Sequence, residues 1–226
     1  SRAAACLSRR VTRLTTRQSH AAAARSCPSA RPGAASEPSR DRSAHASRLW
    51  SEKYAAALEL TPDDARLYLN RGLCWQSLKE WAKAAADAKA AVKLDCGNAK
   101  AHFHLTRSLV ALGEVEAAAV ALGNAPAELV ESSKSLAEMK LSTIPEAAKK
   151  QANASFVAKD YEAALPLYTL AVDLTAGKAH LYLSNRSACY QALGKWAKAA
   201  EDGRAVVALE PSFPKGHLHL ARSLKQ

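Results

Sequence analysis

The chain has 226 residues, room for one or two domains. Its 51 alanines and 28 leucines stand against ten valines and a single isoleucine, Ile144. Strands draw on β-branched and aromatic residues, so this balance excludes a sheet-based fold. The longest run without Asp, Glu, Lys or Arg is the eleven residues 117–127, short of the roughly 20 that a membrane-spanning helix needs. The net charge of +11 is uneven: residues 1–48 carry +8, residues 49–142 carry −1 and residues 143–226 carry +4. Basicity belongs mainly to the N-terminal segment, and no nucleic-acid partner is expected from it alone.

Residues 1–45 are expected to be a disordered Arg/Ala/Ser-rich segment, because they hold too little apolar bulk to bury. Leu7, Val11 and Leu14 share one helical face and Arg10, Arg13 and Arg17 another. Such an Arg-rich, acid-poor stretch is also similar to an organellar transit peptide. A cytoplasmic location is expected, with a mitochondrion or plastid as the alternative. Residues 28–43, with Pro28, Pro32, Gly33 and Pro38, are expected to be a linker. The five cysteines (Cys6, Cys27, Cys74, Cys96 and Cys189) contain no Cys-x-x-Cys pair and read as reduced thiols.

Residues 70–109 align without a gap on residues 185–224 with 21 identities in 40 positions. The chain is therefore a tandem duplication, and a shorter period runs inside each copy. In chain order, a helix through Tyr54 and Ala57 is stopped by Pro62, with Asp64 available to cap its successor. A full helix pair is expected at 65–98, on Gly72, Trp75, Ala84 and Ala91, and a weaker one at 99–132, turning at Gly113. A helix over about 125–141 is expected to cover the end of the first copy, and Thr143-x-x-Glu146 reads as a capping box that restarts the pattern. Pairs at about 145–179 and 180–213 follow, with one residue inserted near Thr175–Ala179. The steps of Tyr161, Ala164, Tyr168 and Ala171 return at Trp196, Ala199, Gly203 and Val206. Small residues there let two helices cross closely. Gly194 turns, Pro211 stops, Ser212 is available as a cap, and a lone helix begins at about 214, with Leu218 and Leu220 on an open face. Trp75, Trp81 and Trp196 read as core residues.

This pattern resembles the tetratricopeptide repeat (TPR), a helix–turn–helix unit of about 34 residues. The resemblance implies an all-α, TPR helical solenoid in two tandem copies. Residues 46–142 would form a first module, its first repeat incomplete and its end covered by a capping helix. Residues 143–226 would form a second, its last repeat truncated. Stacked pairs make a groove lined by the first helix of each pair.

On those lining helices of the second module stand Lys149 and Asn153, four apart, then Asn185, then Lys215 and His219, four apart. This set resembles the two-carboxylate clamp of heat-shock co-chaperone TPR domains, which have Lys and Asn, Asn within Asn-Arg-Ser (here Asn185-Arg186-Ser187), and Lys and Arg. The resemblance implies a peptide site for the Glu-Glu-Val-Asp tails of 70-kDa and 90-kDa heat-shock chaperones. Two ammonium and two amide groups suit two carboxylates. His219 departs from the family's Arg: it is only partly charged near neutral pH and makes no bidentate fork. The first module keeps Asn70, Lys100 and His104 but lacks the Lys and Asn of a first repeat, so no clamp is expected there.

His102/His104 and His217/His219 stand two apart, which on a helix points them in different directions and suits no chelate. No phosphate-cradling loop and no nucleophile with a base is evident, so no enzyme, metal or cofactor is expected. The function expected is a non-enzymatic co-chaperone adaptor. The alternatives are a TPR scaffold for another protein partner, or an organellar factor whose basic arm, residues 1–48, touches RNA.

Overall fold

The computed structural model describes residues 38–175 and 179–225, with side chains from residue 43. Residues 1–37 of the expected disordered segment, the transit-peptide pattern and most of the insertion near Thr175 lie outside these residues, whereas residues 38–45 of that segment are helical. Among the described residues every regular element is a helix. In chain order these are α1 (Pro38–Leu60), α2 (Ala65–Ser77), α3 (Trp81–Leu94), α4 (Ala99–Leu112), α5 (Val115–Gly123), α6 (Ala127–Ser132) and α7 (Lys134–Glu138). A π-helical turn (Met139–Thr143) leads into α8 (Ile144–Val157), followed by α9 (Tyr161–Leu174), α10 (Ala179–Ala192), α11 (Trp196–Leu209) and α12 (Pro214–Leu224). Two compact units result: one runs to Leu112 and includes Asn124–Ser132, and the other joins Gly113–Gly123 to the residues from Ser133 on.

In the first unit α1 packs on α2, α2 on α3 and α3 on α4. Tyr54 and Leu58 of α1 meet Leu67 and Cys74 of α2. Leu69, Ala91 and Ala101 then join α2, α3 and α4. The buried stripe of α3 is made of small side chains, Ala84, Ala88 and Ala91, so its neighbours pack close against its backbone. Asp64 caps α2 as expected, accepting from the Arg66 amide at 2.9 Å.

The second unit repeats the scheme over α8 to α12, with α5 packed on α8. Ala152, Ala164, Leu167, Tyr168 and Cys189 form one core cluster. Ala179, Leu183 and Val206 form the next. Cys74 and Cys189 fill matching buried positions, and burial pushes Cys189 up to about 11. Cys96 departs from the expectation of reduced cysteines, being disulfide-bonded.

The turns that follow α2, α4, α8 and α10 each take a left-handed residue: Lys79 (φ 61°), Gly113 (82°), Lys159 (63°) and Gly194 (69°). Only the glycines signal this in sequence, since the two lysines pay a steric cost that glycine avoids.

Several local expectations are corrected. Helix α1 starts at Pro38, inside the expected linker, because proline is tolerated at a first helical position. The helix expected over 125–141 is broken at Ser133, whose backbone is extended (φ −102°, ψ 105°). Thr143 forms no capping box: the π turn delivers a chain that is already helical (φ −66°, ψ −47°), and Glu146 turns elsewhere. Ser212 does not cap α12 but bonds the Glu210 carboxylate, and Phe213 takes the cap position. Trp75, Trp81 and Trp196 are half-buried rather than core. The two helices expected as one weak repeat at 99–132, α4 and α5, fall in different units.

The duplicated packing is adjusted at one pair of positions. A Cβ on Gly216 of α12 would lie 2.5 Å from Val206 Cγ1 of α11. The aligned residues of the first copy are Ala101 and Ala91, both fully buried. Gly216→Ala should therefore destabilise, by about 1–3 kcal/mol as overpacking does. Val206→Ala in the same chain should relieve most of that loss. A double-mutant cycle by urea unfolding checks this, and additive effects would contradict it.

Candidate functional site

The first helices of successive pairs in the second unit, α8, α10 and α12, are joined by side chains. From α10, the Tyr182 hydroxyl donates to Glu146 Oε1 of α8 at 3.2 Å. The Lys149 ammonium of α8 sits 6.0 Å from the Tyr182 ring centroid. At the other end of α10, Gln191 Nε2 donates to the His219 carbonyl of α12 at 2.7 Å and to Ser223 Oγ at 2.8 Å. The five sequence-predicted residues all stand on these three helices, in one unit.

Their states differ. The Asn185 and Lys215 side chains have no hydrogen bond or ion pair to any described residue, and Lys215 is exposed. Asn153 is held through Oδ1, which accepts from the Tyr168 hydroxyl at 2.5 Å. Burial first, then the nearby Cys189, pushes Tyr168 up to about 12, so it stays a donor. The Asn153 amide nitrogen is thereby left to give its two N–H groups outward. Lys149 is already engaged: Glu146 Oε2 lies 2.8 Å from its ammonium. Sequence reading assigned Glu146 to a cap and so missed a carboxylate beside the candidate cation.

His219 is also engaged, through Nδ1 at 3.3 Å from Gln191 Oε1. Burial lowers its pKa, and Arg222 and Lys215 lower it further. Both effects favour the neutral ring, in the same direction as the expectation that the position is only partly charged near neutral pH. In the first unit His104 makes the same contact with Gln76, at 3.3 Å, and Asn70 and Lys100 are side-chain free among the described residues. His102 and His217 face backbone carbonyls instead: Nε2 lies 3.0 Å from the Cys96 oxygen and 2.9 Å from that of Pro211. No group of three metal-ligating side chains forms among the described residues.

The Asn-Arg-Ser run divides its labour. Asn185 is free, whereas Arg186 makes a bidentate pair with Asp202 of α11 at 2.7 and 2.9 Å. Ser187 donates to the Ala199 carbonyl at 2.9 Å. Arg71 and Asp87 repeat the pair at 2.6 and 2.9 Å. These ion pairs were missed, although both residues are identical in the two copies at the same spacing of 16. They clamp the first helix of a pair to the second and so hold the neighbouring asparagine in register. A separate open cleft of about 450 Å³ in the same unit, lined by Glu114, Glu116, Gln151, Ser155 and Pro166 among others, contains none of the five.

Duplicated helix pairs with alanine-filled crossings and left-handed turns define an all-helical repeat protein. No family model matches the chain. Over 72 residues it is 43% identical to the heat shock protein STI1 of Saccharomyces cerevisiae, covering 32% of this chain and 12% of that protein. Over 76 residues it is 40% identical to the heat-shock protein cognate (HSC) co-chaperone sgt12 of Aspergillus fumigatus, covering 33% and 22%. The chain thus spans well under two thirds of either relative. A solved TPR-repeats protein from Bacteroides fragilis shares the fold, with a TM-score of 0.52 at 18% identity over 84% of this chain and 95% of that one. The chain is a TPR protein whose repeats resemble those of heat-shock co-chaperones.

His104 gives the fold a pH dependence. Burial first, then Arg107 and Lys100, lowers its pKa from 6.5 to about 4. The unfolded chain then binds more protons than the fold between those values, so stability is complete above about 6.5 and falls as pH drops through that window. The thermal midpoint should decline from pH 6.5 to 5, before most carboxylates titrate, and His104→Gln should flatten the decline. A midpoint that rises on acidification would contradict it.

Proposed function

We propose that the chain is a non-enzymatic, cytoplasmic adaptor that grips the acidic C-terminal tail of a 70-kDa or 90-kDa heat-shock chaperone. The observation that carries this reading is the pair Asn185 and Lys215, a free amide and a free ammonium on α10 and α12, helices joined through Gln191. The outward N–H groups of Asn153 extend the donor set onto α8. The co-chaperone names of the similar proteins support the same class of partner. A terminal carboxylate and a neighbouring side-chain carboxylate accept charge-assisted hydrogen bonds from such a set.

The Glu146–Lys149 pair modifies the reading. The Lys149 charge is compensated on its own helix at 2.8 Å, so an acidic tail must compete with Glu146. This observation favours a second reading, a TPR scaffold for a protein partner without an acidic terminus.

Calorimetric titration with a peptide ending in Glu-Glu-Val-Asp separates the two. The clamp expects a Kd on the order of 1–100 μM. Lys215→Ala and amidation of the peptide terminus should each weaken it by roughly tenfold, about 1.4 kcal/mol. Glu146→Gln should tighten it by releasing Lys149 and removing a like charge. Affinity unchanged by Lys215→Ala and by amidation favours the scaffold and refutes the clamp.

A further inference from the structure

We infer that Gln191 sets the proton pattern of His219, so that this position meets a peptide with a hydrogen-bond acceptor at neutral pH and becomes a second carboxylate grip only in acid. The inference rests on the groove reading above for its ligand, and on the hydrogen-bond network alone for its chemistry.

The network admits one proton arrangement. The His219 backbone carbonyl can only accept, so the Gln191 atom at 2.7 Å from it is the amide nitrogen. The same nitrogen donates to Ser223 Oγ at 2.8 Å, while the Ser223 hydroxyl itself donates to the His219 carbonyl at 2.8 Å. Gln191 Oε1 is therefore the atom that faces the ring, and an amide oxygen only accepts. His219 Nδ1, 3.3 Å from it, must carry the proton. In a neutral imidazole the other nitrogen is then bare. His219 Nε2 has no partner among the described residues, so it offers a lone pair.

The first copy repeats every bond. Gln76 Nε2 donates to the His104 carbonyl at 3.2 Å and to Ser108 Oγ at 2.9 Å. Ser108 Oγ donates to the same carbonyl at 2.8 Å, and His104 Nδ1 lies 3.3 Å from Gln76 Oε1. Gln, His and Ser are identical at all three aligned pairs of positions.

A bare Nε2 cannot donate to a carboxylate, and its lone pair repels one. Protonation reverses both properties at once: Nε2 gains an N–H, and the ring gains a positive charge beside Lys215. The charged groups acting on the ring are Arg222 and Lys215, both on α12, while α10 presents the neutral Gln191. No carboxylate among the described residues pairs with His219, so an acidic peptide would supply the missing counter-charge. Bound peptide then favours the protonated ring, and by linkage acid favours binding.

The full chain, labelled with ¹⁵N-histidine, tests this in two arms. Without peptide at pH 7.5, long-range ¹H–¹⁵N correlation spectra, assigned with His219→Arg and His104→Arg, should show Nδ1 protonated and Nε2 bare at both positions. A proton on Nε2 of His219 overturns the inference. In the second arm the Glu-Glu-Val-Asp peptide is titrated at pH 7.5 and 5.8, above the carboxylate range. Binding should tighten roughly threefold to tenfold at the lower pH. His219→Arg, which carries a permanent charge, should bind more tightly than wild type at pH 7.5 and lose the pH dependence. Gln191→Leu frees the tautomer and should raise affinity at pH 7.5, a gain that a merely structural role would not produce. Wild-type binding that ignores pH, or a slope that survives His219→Arg, overturns the inference while leaving the clamp standing. No binding at either pH refutes the clamp and with it the acid grip, and the peptide-free spectrum still decides the tautomer.

Discussion

Close approach between neighbouring helices is the constraint on which the other features rest. It is possible because the crossing positions carry almost no side chain: Ala84, Ala88 and Ala91 in the first copy, Ala199 and Gly203 in the second. The chain of Gly203 passes Leu220 so closely that a Cβ would lie 3.0 Å from its backbone. At this spacing the residues one turn away from the crossing can reach across it. Arg186 reaches Asp202, Gln191 reaches His219, and Tyr182 reaches Glu146. With wider crossings these pairs would be bridged by water, and neither the register of Asn185 nor the proton on His219 would be set.

The polar links are therefore secondary to packing but not idle. The Arg–Asp pair is bidentate and largely withdrawn from water, with side-chain exposures of 17% and 7% in the second copy. Such a pair gives specificity of geometry more than net stability. Here the geometry it specifies includes the adjacent Asn185, whose side chain bonds to no described residue.

Most of the fold was legible because the signals are local and repeated. Asp64 as a cap, Gly113 and Gly194 as turns, and Pro62 and Pro211 as stops all follow from the conformational limits of single residues. The duplication of residues 70–109 at 185–224 made the helix pairs within it checkable against a twin. What escaped has a common cause. Lys79 and Lys159 take a left-handed turn against their own preference because the flanking helices demand it. Thr143 was misread because a π turn already made the chain helical there, so the cap had nothing to satisfy. At the candidate site the residue types were legible and their engagements were not. Lys149 and His219 look alike in a sequence whether free or bonded, and Glu146 and Gln191, which decide the matter, come from a neighbouring turn and a neighbouring helix.

The compensation at Gly216 has a consequence for how the two copies can change. In the second copy Val206 faces Gly216, and in the first Ala91 faces Ala101. A recombination event that joined one copy's helix to the other's partner would set valine against alanine, which clashes, or alanine against glycine, which leaves a hole. Despite their close identity across this stretch, the halves are no longer exchangeable parts: a hybrid joined between those two helices would carry a packing mismatch that neither copy has.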